Sequence, residues 1–255
     1  MISLSKRLSF TLIGILLTFT PINFAKQLSN LKVDSLIGSR VNLPSFWIGK
    51  GQINHDVHIL VMAGHADSQG MNGAGTSGYV VDLKGAAPMD SSMRDELYWN
   101  LLVCKELVLL GRRYGLNISF YDPEIRTLVD ANDPRTNWSN GYRHALNGGY
   151  PLEIHFDAYG PDGYGSGLIP AVTDDLNSID ESLASDFGRY PLLFRGGLGA
   201  PRRQIRILEI GKLEGELEDR LRDASTRDKT IRTIAIRITN SILKGLNKDT
   251  ITVKL

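Results

Sequence analysis

Two histidines and two glutamates stand where an apolar core would not put them: His65, Glu96, His155 and Glu209. His65 comes just after the apolar run His58-Ile59-Leu60-Val61-Met62-Ala63, which breaks at Gly64, and Asp67 follows two residues later. His155 sits in Leu152-Glu153-Ile154-His155-Phe156-Asp157, where apolar side chains alternate with metal-capable or acid–base ones. Glu209 extends a row formed by Ile205 and Ile207. A buried carboxylate is costly unless it is paired, protonated or beside a metal. Two imidazoles and a carboxylate make a catalytic zinc set that leaves a fourth position for water. A further glutamate could take the proton of that water and pass it to a leaving amine. No pair among the four has metal-ligand spacing in sequence, and no H-E-x-x-H helix is present, so only the fold can bring them together.

The elements that would do so are legible in outline. From about Val57 onward strand-like and helical patterns alternate, which predicts an α/β domain with a mostly parallel central sheet flanked by helices. Residues 58–63 and 116–122 read as strands, and 152–157 as a strand with one apolar face and one polar face. A fourth strand is expected over 204–210. In residues 90–115, Glu96, Trp99, Val103, Leu107 and Leu110 share one stripe at 100° per residue, with Asn100 beside Glu96. That places Glu96 at the start of a core-facing helix, which Ser92 or Asp95 would cap and Gly111 or Gly115 would end. The stretch with Glu214, Glu216, Glu218, Arg220 and Arg222 reads as a solvated helix, and Ile231, Ile234, Ile238 and Ile242 mark a closing helix over 227–246. The glycine-rich Tyr159–Pro170 segment lacks the spacing of a phosphate-binding fingerprint and is expected to form a mobile rim. His55 and His58 belong at the opposite end of the first strand from His65, on the surface, while His144 is a weak candidate for substrate contact.

Bulk composition narrows the classes. With 255 residues, 42% hydrophobic and 22% charged, the chain is an ordinary globular one. A formal charge of +1 gives no electrostatic reason to expect nucleic acid. The lone Cys104 excludes an intramolecular disulfide and a cysteine-based zinc cluster, and its apolar helical setting points to a buried, inert thiol. Residues 1–25 have Lys6 and Arg7, an apolar centre, Pro21 and a small Ala25, the layout of a signal peptide or an uncleaved membrane anchor. Export is therefore expected, to the periplasm or cell envelope. Residues 26–54 show no period and read as a linker or first packing segment.

Four segments together resemble the zinc-dependent N-acetylmuramoyl-L-alanine amidases: Gly64-His65-Ala66-Asp67-Ser68-Gln69-Gly70, Asp95–Asn100, Glu153–Ala158 and Arg206–Asp219, in that family's order. The resemblance spans roughly residues 55–246 and makes 55–255 an amidase-like catalytic domain. It implies that His65, Glu96 and His155 bind Zn2+, that Glu209 is the general base, and that Asn100 and Asp157 contact substrate. The implied substrate is the amide between N-acetylmuramic acid and L-alanine in peptidoglycan. Any membrane contact would run through the N-terminal segment, and an activator protein is an open question. The chain departs from the family where Gly-His-Ala-Asp replaces a glycine-rich turn. About 30 residues separate His65 from Glu96, a longer stretch than expected. Glu153 and Asp157 stand where the family has serine and asparagine. Two other readings stay open at this point: a zinc peptidase acting on another cell-wall peptide bond, and a peptidoglycan-binding module without catalysis.

Overall fold

A computed structural model describes residues 33–252 apart from residues 174 and 198. The expected signal peptide or anchor over residues 1–25 lies outside the described residues. Among those described, no helix is long and apolar enough to cross a membrane.

The centre is a five-stranded sheet. In chain order its strands are β1 (Ile59–Ala63), β2 (Ile118–Tyr121), β3 (Tyr150–Asp157), β4 (Gly167–Ile169) and β5 (Arg206–Lys212). Their spatial order is β2-β1-β3-β5-β4. The first four are parallel, and β4 closes one edge antiparallel to β5. The helices are α1 (Tyr79–Lys84), α2 (Asp95–Arg113), α3 (Asn137–Leu146), α4 (Ser178–Phe187), α5 (Gly215–Arg222) and α6 (Arg227–Gly245). The α/β architecture and the mostly parallel sheet expected from the sequence are what the chain forms.

The alternation in β3 decides which face carries what. Tyr150, Leu152, Ile154 and Phe156 enter the main core, with Ile59, Val61 and Ala63 of β1 and Leu208 and Ile210 of β5. The same core takes the apolar stripes of α2 and α6, including Trp99, Val103, Leu107, Ile234 and Ile238. The other face holds a smaller cluster of Met62, Ala200 and Ile205, with Trp138 and Ile207 against it. Gly141 lets α3 lie on that face: a Cβ there would sit 2.6 Å from Ile205 Cδ1. Glu153, His155 and Asp157 point to this second face. β3 is buried at all eight positions and lies between β1 and β5, so its polar face is not the wet side of an edge strand.

A buried ion pair ties α4 to the sheet. Arg206 Nε lies 2.9 Å from Asp180 Oδ1, which also accepts from Tyr150 Oη at 2.8 Å. Asn177 and Asp180 form the capping box that starts α4.

Several local expectations change. α2 begins at Asp95 after Arg94, with no side-chain cap. Ser92 instead binds Asp90 through its hydroxyl, while the Asp95 carboxylate accepts from Met89 N–H and pairs with Arg222. Gly111 lies inside α2, and Gly115, in the left-handed region, follows its end. α5 is not merely a solvated face, because Glu218 is fully buried. The glycine-rich segment is not a mobile rim. Tyr164 and Gly165 donate their backbone N–H groups to Asp157 at 2.5 and 2.8 Å, and Gly167 opens β4. Cys104 is buried, as its helical setting suggested.

Residues 33–54 pack rather than dangle. Ile37 is fully buried, and Leu36, Trp47 and Ile53 lie against the main core. Arg40 forms a bridge with Ser166 and Gly51 one with Asn177.

Candidate metal centre

The sheet reverses its winding between β1 and β3, because the chain leaves β1 for β2 on one side and later returns to β3 on the other. In open α/β sheets the crevice at the carboxyl ends of the strands at such a point is where ligands bind. His65 is the second residue after β1, within the turn that ends the strand, and His155 is near the end of the adjacent β3.

The turn that delivers His65 is held from two helices. Asn137 Nδ2 at the start of α3 donates to Ala63 O at 2.7 Å, and Asn100 Nδ2 of α2 donates to Gly64 O at 3.3 Å. His65 itself has φ 61°, a left-handed conformation that a non-glycine residue adopts at some cost. Gly64 must lack a side chain, since a Cβ would lie 2.2 Å from His155 Cε1.

Glu96 reaches over the sheet edge from the first turn of α2. Its Oε1 lies 3.2 Å from His155 Nδ1 and 3.5 Å from His65 Nε2. Its Oε2 accepts from Thr76 N–H at 2.8 Å, which anchors the loop that bridges the long stretch between His65 and Glu96. Within that loop Gly75 approaches both ligand candidates: a Cβ would be 2.9 Å from Glu96 Oε2 and 3.2 Å from His65 Cδ2. The ligand atoms of His65, Glu96 and His155 all lie within 4.8 Å of one another. Two donors bound tetrahedrally to zinc at about 2.0–2.1 Å stand about 3.3 Å apart. The two Glu96 distances match that edge, so the three residues could hold a metal ion.

The two imidazoles differ in their electrostatics. Burial holds the His65 imidazole below its usual range against the pull of Glu96, which favours the neutral ring a metal needs. Burial also opposes charge on His155, but hydrogen bonds donated to the Glu153 and Glu96 carboxylates outweigh it and raise that imidazole well above its usual range. The pocket between those carboxylates thus favours a positive charge. Burial would raise Glu96, yet His65 and His155 hold it below its usual value.

Glu209 pairs across the sheet with His155 in the β3–β5 register and is 7% exposed. Its Oε2 is buried without a hydrogen-bond partner. Burial pushes its carboxyl up to about 8, opposed by His155 and reinforced by Asp157 and Glu96. A carboxyl tuned near neutral pH suits a general base.

All four residues line one cleft of about 600 Å³. Its walls carry Met71, Leu128, Val129, Trp138 and Phe194, with Arg195 as their cationic neighbour. Asn100 and Asp157, for which the resemblance implies substrate contact, hold parts of the backbone around the cleft. Asn100 is fully buried and outside the cleft lining, so its contact is with the Gly64 carbonyl. Asp157 borders the cleft, but its oxygens take the N–H groups of Ala158, Tyr164 and Gly165, which fixes the loop before β4. His144 belongs to the other end of β1, where its Nε2 meets His58 O at 2.7 Å. His58 is there too, 2.9 Å from Ser119 Oγ, and His55 meets Leu246 O at 2.8 Å. Sequence reasoning did not single out Gly75 or Asn137. The glycine-rich run from Gly73 to Gly78 was the one available signal for the first.

This is an α/β fold with a His–Glu–His cluster at the carboxyl edge of its parallel strands. It is the fold of the catalytic domain of CwlV, an N-acetylmuramoyl-L-alanine amidase from Bacillus (Paenibacillus) polymyxa var. colistinus. That domain superposes with a TM-score of 0.52 at 14% identity, over 76% of this chain and 100% of the other. A second similar structure is the N-acetylmuramoyl-L-alanine amidase AmiC2 of Nostoc punctiforme, with a TM-score of 0.47, 14% identity and coverage of 77% and 100%. No family model and no curated protein matches the chain.

Proposed function

We propose that the protein is a zinc-dependent hydrolase that cleaves the amide between N-acetylmuramic acid and L-alanine in peptidoglycan. The observation that carries this reading is the convergence of His65, Glu96 and His155, with Glu209 beside them on the neighbouring strand, in one cleft. The fold shared with the CwlV catalytic domain supports it. His65, Glu96 and His155 are the residues that would hold the ion. Bound there, zinc would polarise the scissile carbonyl, lower the pKa of water and favour the ionised form of Glu209.

Glu209 accepts a proton from the attacking water at its carboxylate and returns it to the departing nitrogen. Burial keeps that carboxylate out of bulk solvent, and its unpartnered Oε2 leaves an acceptor free for water. Export to the cell envelope, proposed from residues 1–25, would place the cleft where peptidoglycan is found.

The test combines metal analysis with digestion of purified peptidoglycan. The wild-type protein should carry one zinc per chain and release peptides with a new L-alanine amino terminus. Glu209→Gln should keep the metal and lose about 10²–10⁴-fold in rate, the usual contribution of a general base. Full activity in a folded, metal-loaded Glu209→Gln variant would reject the assignment. Products with intact muramoyl–alanine bonds would reject the substrate.

A further inference from the structure

His155 has a carboxylate on each side of its ring. Nδ1 faces Glu96 Oε1 at 3.2 Å, and Nε2 faces Glu153 Oε2 at 3.3 Å. Glu96 also faces His65, so Nδ1 is the nitrogen on the side where the three candidate ligand residues meet. Nε2 is left for Glu153. Glu153 is 3% exposed and lies on the same face of β3 as His155, two residues before it. Its strand neighbours in register are Met62 and Ile207. Neither offers a charge to balance a buried carboxylate, so the imidazole is the polar group that accounts for Glu153 being there.

A histidine that ligates a metal commonly donates its other ring N–H to a carboxylate, which fixes the tautomer and orientation of the ring and makes it a stronger donor. We infer that Glu153 is a positioning residue of this kind: it holds His155 with Nε2 protonated and Nδ1 turned toward Glu96 and His65. This rests on the metal-centre reading above and extends it to a residue outside the ligand set. Ring orientation is set from both sides, because Gly64 packs against the ring face where a Cβ would lie 2.2–2.5 Å from its atoms. Glu153 also borders the cleft, yet its role does not require contact with substrate.

The test is zinc affinity, measured on the full chain by competition with a chromogenic chelator, for wild type, Glu153→Ala, Glu153→Gln and Glu153→Asp. Thermal melting of each metal-free protein is the control for folding. Glu153→Ala should weaken zinc binding by about 10–100-fold. Glu153→Gln keeps an acceptor oxygen in place and should recover most of that loss. Glu153→Asp leaves the acceptor short of Nε2 and should resemble alanine, so it decides the matter if the alanine variant does not fold. Unchanged affinity in Glu153→Ala or Glu153→Asp would overturn the inference and leave the metal centre standing. If Glu153→Gln lost as much affinity as His155→Ala, Glu153 would be a ligand and the positioning role would be wrong. A wild-type protein that binds no zinc would instead remove the metal centre, and this inference with it.

Discussion

At the scale of single residues, the site depends on what Gly64 lacks as much as on what its neighbours supply. The backbone of β1 can approach His155 only because residue 64 has no side chain. Gly64→Ala must push either the strand end or the imidazole aside, and the ring is the softer of the two. The expected result is a destabilisation of about 1–3 kcal/mol, typical of overpacking, together with a loss of metal affinity of at least tenfold. Chelator competition beside a denaturation curve checks both. Retention of wild-type zinc affinity would show that the ring has room that the structure does not give it. The four polar residues of the site could be picked out in the sequence because each interrupts a periodic apolar pattern: Glu96 in a helical stripe, His155 and Glu209 in strand alternation, His65 at a strand end. The bond from Asn100 to the Gly64 carbonyl is not legible in the sequence, because that partner is 36 residues away and no local pattern marks a side chain that serves a distant backbone. The structural part played by Asp157 is hidden for a related reason, since its N–H donors at Tyr164 and Gly165 sit in a loop whose glycines look slack in one dimension.

At the scale of elements, the departure with most physical content is α5. Its charges suggested a solvated helix, but Glu218 is turned inward, and both of its carboxylate oxygens accept from Val80 N–H at 3.1 and 3.2 Å. Val80 lies in the first turn of α1, which has no side-chain cap of its own, so a carboxylate from one helix caps another. Burial nevertheless dominates and pushes the Glu218 carboxyl up to about 7, against the Val80 N–H and Arg222. A carboxyl whose folded pKa is raised stabilises the fold below its unfolded value, near 4.5, and that contribution is lost as the pH rises through about 7. Glu218→Gln cannot ionise. Relative to the variant, the wild type should therefore lose about 2–3 kcal/mol of unfolding free energy between pH 4 and pH 8. Urea denaturation of both proteins across that range measures the difference directly. A constant gap between the two would mean that Glu218 keeps an ordinary pKa in the fold. Four of the five strands and the two long helices were legible from period alone, whereas β4 and the start of α3 were not. α3 begins at Asn137, where Thr136 caps it locally and its small apolar face packs on a minor cluster.

At the scale of the whole molecule, residues 33–54 pack onto the sheet domain without a periodic pattern of their own. This segment has no strand or helix to set a period. It attaches by isolated bridges, Arg40 to Ser166 and Gly51 to Asn177, and by side chains that reach far along the chain. Trp47 Nε1 donates to Tyr190 O at 2.6 Å, and its ring lies 4.2 Å below the Arg189 guanidinium. Gly49 N–H donates to Glu181 at 2.8 Å. Ile37 covers Gly211 so closely that a Cβ on that glycine would meet the Ile37 carbonyl at 2.3 Å. The segment also braces the site from behind. Ser39 O accepts from Ser166 N–H, and Ser166 O from Val41 N–H, next to Gly165 on Asp157 and Gly167 opposite Glu209. Burial of Ile37 alone is worth about 1.5–3 kcal/mol, and Leu36, Trp47 and Ile53 add to it. A fragment of residues 55–255 should therefore melt roughly 10–20 °C below one of residues 33–255, at 2–4 °C per kcal/mol for a domain of this size. Because β4 would lose its backing, zinc affinity should fall with it, even at temperatures where the shorter fragment is still folded. Calorimetry of the two fragments, with and without zinc, separates the effects. Equal melting temperatures would make residues 33–54 an appendage, whereas a lower melting temperature with unchanged zinc affinity would confine their role to stability.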